Sequence, residues 1–395
     1  MHGVNAGRRY KGTRKLVLDL STPVLPFEVV ASRSGSTVYA ARSASTAIAV
    51  SSGPVFEDHG GPEGGGWWTF PGYSNRVTKP FDHSDVSWTK TGTNTLTLAA
   101  VAGPASGGPA ADRFVDADAT FPSELTFNPG DSVNCIDSAW EKASPSPNQP
   151  TAHGALDLGG ATIGVNYSTS DIGWRRVSAG RGISAPGVQH KHVAAGLNIE
   201  ADGLGQTPSA TGGIDVWGDS QVLGFSDLPL VDGTTGDCTL QIARSALPAL
   251  INNGDIDITV RFLADYLDNP ATSNAGTQNG GWIFSMYTPA GLFGMRYDVT
   301  FNATAGTFVL VAAGADLLSV SLDSFPGGTV IDARMVYQPS TLTAALLASY
   351  NGCAQMVTGA AGSKQIETPS QAWIGSNLGA SSSIMPRRWQ RLEAR

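Results

Sequence analysis

The sequence predicts an all-β chain: tandem antiparallel β-sandwich or jelly-roll domains preceded by an extended N-terminal arm. Three observations carry that expectation. The 395 residues include 48 Gly and 23 Pro with no G-X-Y period, which calls for many tight turns and few long helices. A hydrophobic fraction of 41% with a net charge of only −8 excludes disorder, which needs low hydrophobicity and high charge. From about residue 81 onward, short alternating runs recur between clusters of Gly, Asn, Asp and Pro, the pattern of many brief strands. The length suits two or three domains, each with its own core.

Residues 1–30 read as an extended basic arm. Arg8, Arg9, Lys11, Arg14 and Lys15 place five positive charges and no negative one in the first fifteen residues. Pro23 and Pro26 forbid a helix there. Such a charge run is either a solvated tail or an arm that docks on an acidic surface of a larger assembly. Residues 31–80 are small, polar and Gly-rich, with brief strand candidates in "STVYA" and "TAIAV". They are too poor in large apolar residues to hold a core alone, so they read as a connector or oligomerisation segment packing on the same chain or on copies of it. In 81–237, "TNTLTLAAVAG" alternates Thr with Leu, the period of a half-buried strand. "ATIGVNYST", "GWRRVSA" and "GGIDVWGD" follow, which suggests a jelly roll.

The last segment, 238–395, carries the cleanest patterns. Ile256, Ile258, Val260 and Phe262 alternate with Asp255, Asp257, Thr259 and Arg261, as in an antiparallel strand with one face in water. Asn351-Gly352 between two apolar runs is a hairpin signal, because a type I′ turn needs positive φ at both positions. "RSALPALINNG" is the one plausible short helix, ending at Asn253-Gly254. The sequence shows no internal repeat of the kind that marks a solenoid or propeller.

Few chemistries fit. The mild acidity argues against nucleic-acid binding, and no apolar run is long enough to span a membrane. No signal peptide is visible, since the basic start runs into "LVLDLSTPVLPF". Cys135, Cys238 and Cys353 lie about a hundred residues apart, without metal or disulfide spacing, and core placement is expected. "EDHGGPEGGGWWTF" (57–70) lacks the Lys-Ser/Thr of a phosphate loop. It reads as a packing corner with solvated acids and a solvated His59, one of its two tryptophans entering a core and the other meeting a neighbouring subunit. His190 and His192, two apart, share one strand face and could chelate a metal. No third ligand stands near them in sequence, so a pair of exposed imidazoles and no metal site is expected. A glycosidase would need two carboxylates about 5 Å or about 6.5–9.5 Å apart. Asp215, Asp219, Asp255 and Asp257 stand in turn or strand contexts typical of solvated faces, so no catalytic residue, cofactor or enzymatic activity is expected.

Nine tryptophans remain: Trp67, Trp68, Trp88, Trp140, Trp174, Trp217, Trp282, Trp373 and Trp389. Most are expected in sandwich cores, but an indole face can also stack on a sugar ring. The order of segments resembles appendage proteins of tailed bacteriophages. The matching elements are "ASRSGSTVYA…SGPVFEDH…GGG", then "FDHSDVSWTKTG" (81–92), the "GWxRV" strand at Gly173–Val177, and "IDVWGDSQVLG" with one residue inserted before Gln221. A strand at Asp257–Phe262 and the "YNG" (350–352) and "WIGSN" (373–377) runs complete the series. The resemblance spans roughly residues 31 to 395, with a departure at "GWWTFPGYSNRVTKP", where the usual "GLLVEGARTNL" run is matched only by Asn75.

The resemblance implies a carbohydrate-binding-module-like jelly roll at 81–237 and a concanavalin A-like, laminin-G-like sandwich at 238–395. It implies a virion structural protein, a head fibre, tail fibre or decoration protein, usually homotrimeric, anchored to capsid, neck or tail proteins through Arg8, Arg9, Lys11, Arg14 and Lys15. Host-surface glycans are the expected external partner, with Trp282, Tyr337, Trp373 and Asn377 as the sugar contacts. A tail-spike enzyme that depolymerises host polysaccharide and a secreted bacterial lectin-like protein are the alternatives.

Overall fold

The computed structural model of the chain describes residues 16–92, 94–117, 123–127, 135–143, 151–157, 162–168, 173–181, 190–194, 213–223, 228–264, 281–298, 305–323, 329–377 and 384–395. The anchoring candidates Arg8, Arg9, Lys11, Arg14 and Lys15 lie outside them. The architecture is all-β and antiparallel within its sheets, and the one helical element among the described residues is a single 3-10 turn at Leu247–Leu250.

The larger sandwich packs two eight-stranded sheets face to face. One runs Cys353–Ala360, Thr343–Tyr350, Val330–Gln338, Ile256–Leu263, Arg387–Ala394, Gly66–Thr69, Phe56–Glu57, with Leu16–Asp19 also on Arg387–Ala394. The other runs Val29–Gly35, Thr234–Ile242, Gln371–Ile374, Gly281–Thr288, Gly291–Asp298, Ala305–Ala312, Ala315–Asp323, with Tyr73–Ser74 on Thr234–Ile242. The expected alternation holds: Ile256, Ile258, Val260 and Phe262 are fully buried, while Asp257 and Arg261 pair outward with Arg334 and Asp332. Asn351 and Gly352 adopt φ of 44° and 83° and close the hairpin Tyr350↔Cys353. Cys353 is exposed, not in a core, because its strand is the open edge of the sheet; Cys238 is buried, and the Cys135 side chain is outside the described set.

The N-terminal segment from Leu16 to Ser74 is part of this sandwich. Leu16–Asp19 pairs with the last strand from Leu16↔Ala394 to Asp19↔Arg391. Gly66–Thr69 continues along the same edge at Thr69↔Arg387 and Trp67↔Trp389, and Val29–Gly35 lines Thr234–Ile242 in the other sheet. The expected boundary at 238 therefore falls inside a strand, and the tail of the basic arm is sheet from Leu16 on. The physical reason is hydrogen bonding: Arg387–Ala394 would otherwise present a bare backbone edge beside the core. Trp67 and Trp68 are both buried on opposite faces of their strand. Trp67 packs on Phe56 in the main core, whereas Trp68 joins Val38, Phe70, Tyr73, Val222 and Cys238 in a smaller one. Both faces are covered by this chain, so neither indole needs a neighbouring subunit.

The smaller sandwich is the jelly roll. Its five-stranded sheet runs Arg175–Arg181, Cys135–Ala143, Gly213–Leu223, Ala110–Asp116, Asn94–Ala102, facing His190–Ala194, Ser123–Phe127, Trp88–Thr91. Trp88, Phe114, Leu125, Phe127, Ile214 and Val216 fill the space between. In Asn94–Ala102 only Leu96 reaches that core; Leu98 is exposed, because a register shift opposite Ala111 and a positive φ at Ala99 break the alternation. Tyr39, Ala41 and Ala47 from the Gly-rich segment pack on Trp140, Trp174 and Trp217 of the jelly roll, so that segment is the filling between the two sandwiches.

Leu18 is fully buried in the main core. Leu18→Ala should therefore lower global stability by about 2–5 kcal/mol, as a core truncation does, read as a shift of the denaturant midpoint. A solvated arm would tolerate the change.

Candidate functional site

Two polar or aromatic constellations stand out, and a third group corrects the reading of residues 57–70. Glu57 is fully buried, not solvated. Its carboxylate accepts from Ala41 N (3.0 Å), Trp68 Nε1 (2.8 Å) and Arg176 Nη1 (3.2 Å), and faces His59 Nε2 at 3.3 Å. Burial alone would raise its pKa, but the hydrogen bond and charge of His59, with Arg176 and Arg388 behind, bring it down to about 2. His59 is half-buried against it. The stretch is a charged joint between the N-terminal segment and the jelly-roll strand that carries Arg176.

The first constellation is the outward face of the sheet that holds Gly281–Thr288. Phe284 and Met286 point into the core, so Ser285 and Tyr287 point out. The register then lines Gln241, Trp373, Ser285, Gly294 and Val311 across the sheet in one row on the side away from the core. Ser285, Gly294 and Val311 are buried there, and Gln241 and Trp373 are partly exposed. Trp282 sits opposite Arg296 on the same face, and a Cβ on Gly294 would come within 3.0 Å of its Cζ3. The absent side chain thus lets the indole lie close to the sheet. Tyr287 Oη donates to Asn377 Oδ1 at 2.8 Å, and Ser285 Oγ donates to Ser376 O at 2.7 Å. Seven of the nine tryptophans are buried; Trp282 and Trp373 are the two that are partly exposed.

The structure brings three of the four expected sugar contacts, Trp282, Trp373 and Asn377, to this face, and adds Tyr287. It does not bring Tyr337, which is a core residue 8% exposed, in edge contact with Phe293 and accepting from Gly362 N at 2.8 Å. Its position follows from strand parity, since Ile331, Ala333, Met335 and Tyr337 share the buried face. That signal was present in the sequence.

The second constellation lies inside the jelly roll, where exposed imidazoles were expected at His190 and His192. Both are fully buried. They pair with Phe127 and Leu125 across the strands, which fixes their side chains on the core face. Asp219 meets them from the opposite sheet: its Oδ1 is 2.7 Å from His190 Nε2 and 2.5 Å from His192 Nε2. His83, in the loop before Trp88, brings its Nε2 to Asp219 Oδ2. The far nitrogens face further carboxylates, His83 Nδ1 at 2.8 Å from Asp112 and His192 Nδ1 at 2.5 Å from Glu141. Trp88 packs beside all three rings, its centroid 4.8 Å from His83 and 5.8 and 6.1 Å from His190 and His192.

Asp219 reaches this position through a β-bulge. Ile214 and Val216 face the core, and the register slips where Ser138↔Ser220 gives way to Trp140↔Trp217. Gly218 takes φ of 70° there, so the next residue to point inward is Asp219; bulges re-aim side chains in this way. Burial works against the charge on His83, yet the Asp219 charge and the hydrogen bonds to Asp112 and Asp219 push its pKa up to about 9. Burial likewise opposes ionisation of Asp219, but the charges of His192 and His83 hold it well below the usual carboxylate range. His83, His192 and Asp219 could hold a metal ion: each offers a donor, all within 4.8 Å of one another.

The acids weighed for hydrolysis are otherwise engaged. Asp215 is buried, not solvated, because Arg113 (2.7 and 3.1 Å) and Lys142 (3.6 Å) lie over it from the flanking strands. Asp257 pairs with Arg334 and Asp255 with Ser340. His83, Asp112 and Glu141 had no local signal; His83 and Asp219 are 136 residues apart.

No family model matches the chain, and no curated protein matches it. Among solved structures it is similar to domains LG4-5 of the mouse laminin alpha1 chain, with 12% identity over 67% of this chain and 81% of that one and a TM-score of 0.23. It is also similar to the full extracellular region of zebrafish Gpr126/Adgrg6, with 10% identity, 69% and 33% covered and a TM-score of 0.23. Lectin II from Ulex europaeus gives 8% identity, 82% and 97% covered and a TM-score of 0.21. The class of protein is defined by the chain's own sheets: an all-β protein of two antiparallel sandwiches.

At neutral pH Glu57→Gln should cost about 3 kcal/mol, because the buried Arg176 loses its counter-charge. A depressed carboxylate stabilises fully above its unfolded pKa, 4.5 for Glu, and loses that contribution as pH falls through about 2. The stability difference between wild type and Glu57→Gln should therefore close over that acid interval, as measured by denaturant melts across pH; a difference that does not vary with pH would contradict this.

Proposed function

We propose that the protein is a non-enzymatic structural appendage of a tailed-bacteriophage virion, a head fibre, tail fibre or decoration protein. Its β-sandwiches would face outward and hold host-surface glycans through the sheet face that carries Trp282 and Trp373. One observation carries the glycan reading: the two tryptophans that are not buried stand on a single outward face, beside Tyr287 and Asn377. Two indole platforms with adjacent hydroxyl and amide groups combine an apolar surface for a sugar ring with hydrogen-bonding groups for its hydroxyls. The order of sequence motifs supports the virion assignment, and the five basic residues before Leu16 support attachment through the N-terminus.

The non-enzymatic reading is supported by the acids, since Asp112, Glu141 and Asp219 are packed against histidines inside the jelly roll, and Asp215 under Arg113 and Lys142. The homotrimer rests on the resemblance alone, because the Gly-rich segment finds its packing partners within the chain. Several copies on one particle would compensate for weak single sites.

Binding should be detectable on arrays of bacterial surface polysaccharides. Trp373→Ala or Trp282→Ala should weaken it by about tenfold or more, near 1.4 kcal/mol, without lowering the melting temperature. Tyr337→Phe should leave it unchanged. No binding by the assembled wild-type protein, or equal binding by both Trp variants, would remove the adhesive role.

A further inference from the structure

We infer that the buried cluster in the jelly roll is a structural zinc site, with His83, His192 and Asp219 as ligands. The inference rests on the hydrogen-bond chemistry of the cluster. Three imidazole Nε2 atoms, those of His83, His190 and His192, converge on the one carboxylate of Asp219. An ionised carboxylate only accepts, so with protons alone every one of these nitrogens must carry hydrogen. The Nδ1 atoms of His83 and His192 already face the carboxylates of Asp112 and Glu141. Both rings would then be doubly protonated, placing two imidazolium charges in a fully buried site.

A divalent cation would replace those protons. His83 and His192 then donate Nδ1–H to Asp112 and Glu141 and keep the Nε2 lone pairs for the metal. Carboxylates that orient ligating histidines in this way are the usual outer partners of a metal site. Two imidazole nitrogens and a carboxylate oxygen suit zinc. Full burial of His83, His190, His192 and Asp219 leaves no room for a substrate, so the ion is structural rather than catalytic. It would tie the loop before Trp88 and the strand His190–Ala194 of one sheet to Gly213–Leu223 of the other.

The test is metal analysis of the full chain, purified without a polyhistidine tag from zinc-supplemented medium and shown to be folded by circular dichroism. About one zinc per chain is expected, retained through gel filtration. After removal with a chelator, the melting temperature should fall by on the order of ten degrees, and added cobalt(II) should give the intense visible bands of four-coordinate geometry. Asp219→Asn and His192→Gln should lose the metal while His59→Gln keeps it. If those variants do not fold, zinc content and the cobalt spectrum of the wild-type chain decide alone. Folded wild-type protein with less than about a tenth of a zinc per chain and no such cobalt spectrum would overturn the inference, leaving a protonated histidine–carboxylate network.

Discussion

The backbone edge of Arg387–Ala394 is the constraint on which the larger sandwich depends. This strand lies against the core through Trp389 and Leu392, both fully buried, and one side of it is satisfied by Ile256–Leu263. The other side is satisfied only by the start of the chain, first Leu16–Asp19 and then Gly66–Thr69. A strand edge beside a core cannot be left without partners at low cost. Chain beginning and chain end are therefore held together, and the Gly-rich stretch between them is drawn over the jelly roll. Glu57 sits at that crossing, linked by hydrogen bonds to Ala41, Trp68 and Arg176. The outward face with Trp282 and Trp373 belongs to the opposing sheet, whose inner side rests on the core that this closure completes.

The jelly roll solves a different problem. Its interior holds histidines and carboxylates where a sandwich of this size would ordinarily place apolar side chains. Buried charge is tolerated only when paired and hydrogen-bonded, and here Asp112, Glu141 and Asp219 each face an imidazole. The bulge at Gly218 is what delivers Asp219, since a regular strand would turn it outward. Polar specificity thus sits inside the smaller sandwich, while the accessible aromatic surface lies on the larger.

Much of the strand architecture was legible because it is local. The alternation of Ile256 to Phe262 and the Asn351-Gly352 turn act within a few residues and took their expected form. The expected helix, by contrast, is a 3-10 turn that stops at Leu250, and Asn253-Gly254 is a separate turn between Asn252 and Asp255. Tyr337 was legible too, through the parity of Ile331, Ala333 and Met335, though its aromatic ring drew it toward a surface role. The rest was not written locally. Pairing of Leu16 with Ala394 spans nearly the whole chain, and no periodicity signals such a contact. The cluster around Asp219 hid for two reasons. Its members come from five separate segments, and a one-residue bulge reverses which side of its strand Asp219 faces.

The central claim is that the N-terminal segment Leu16 to Ser74 and the C-terminal sandwich form one cooperative unit. Native-state hydrogen exchange, read by mass spectrometry on the intact protein, tests it most directly. Amides of Leu16–Asp19 and Gly66–Thr69 should be protected to the same extent as those of Arg387–Ala394 and open only in the same global event. Rapid exchange of the two N-terminal strands while Arg387–Ala394 stays protected would contradict the account.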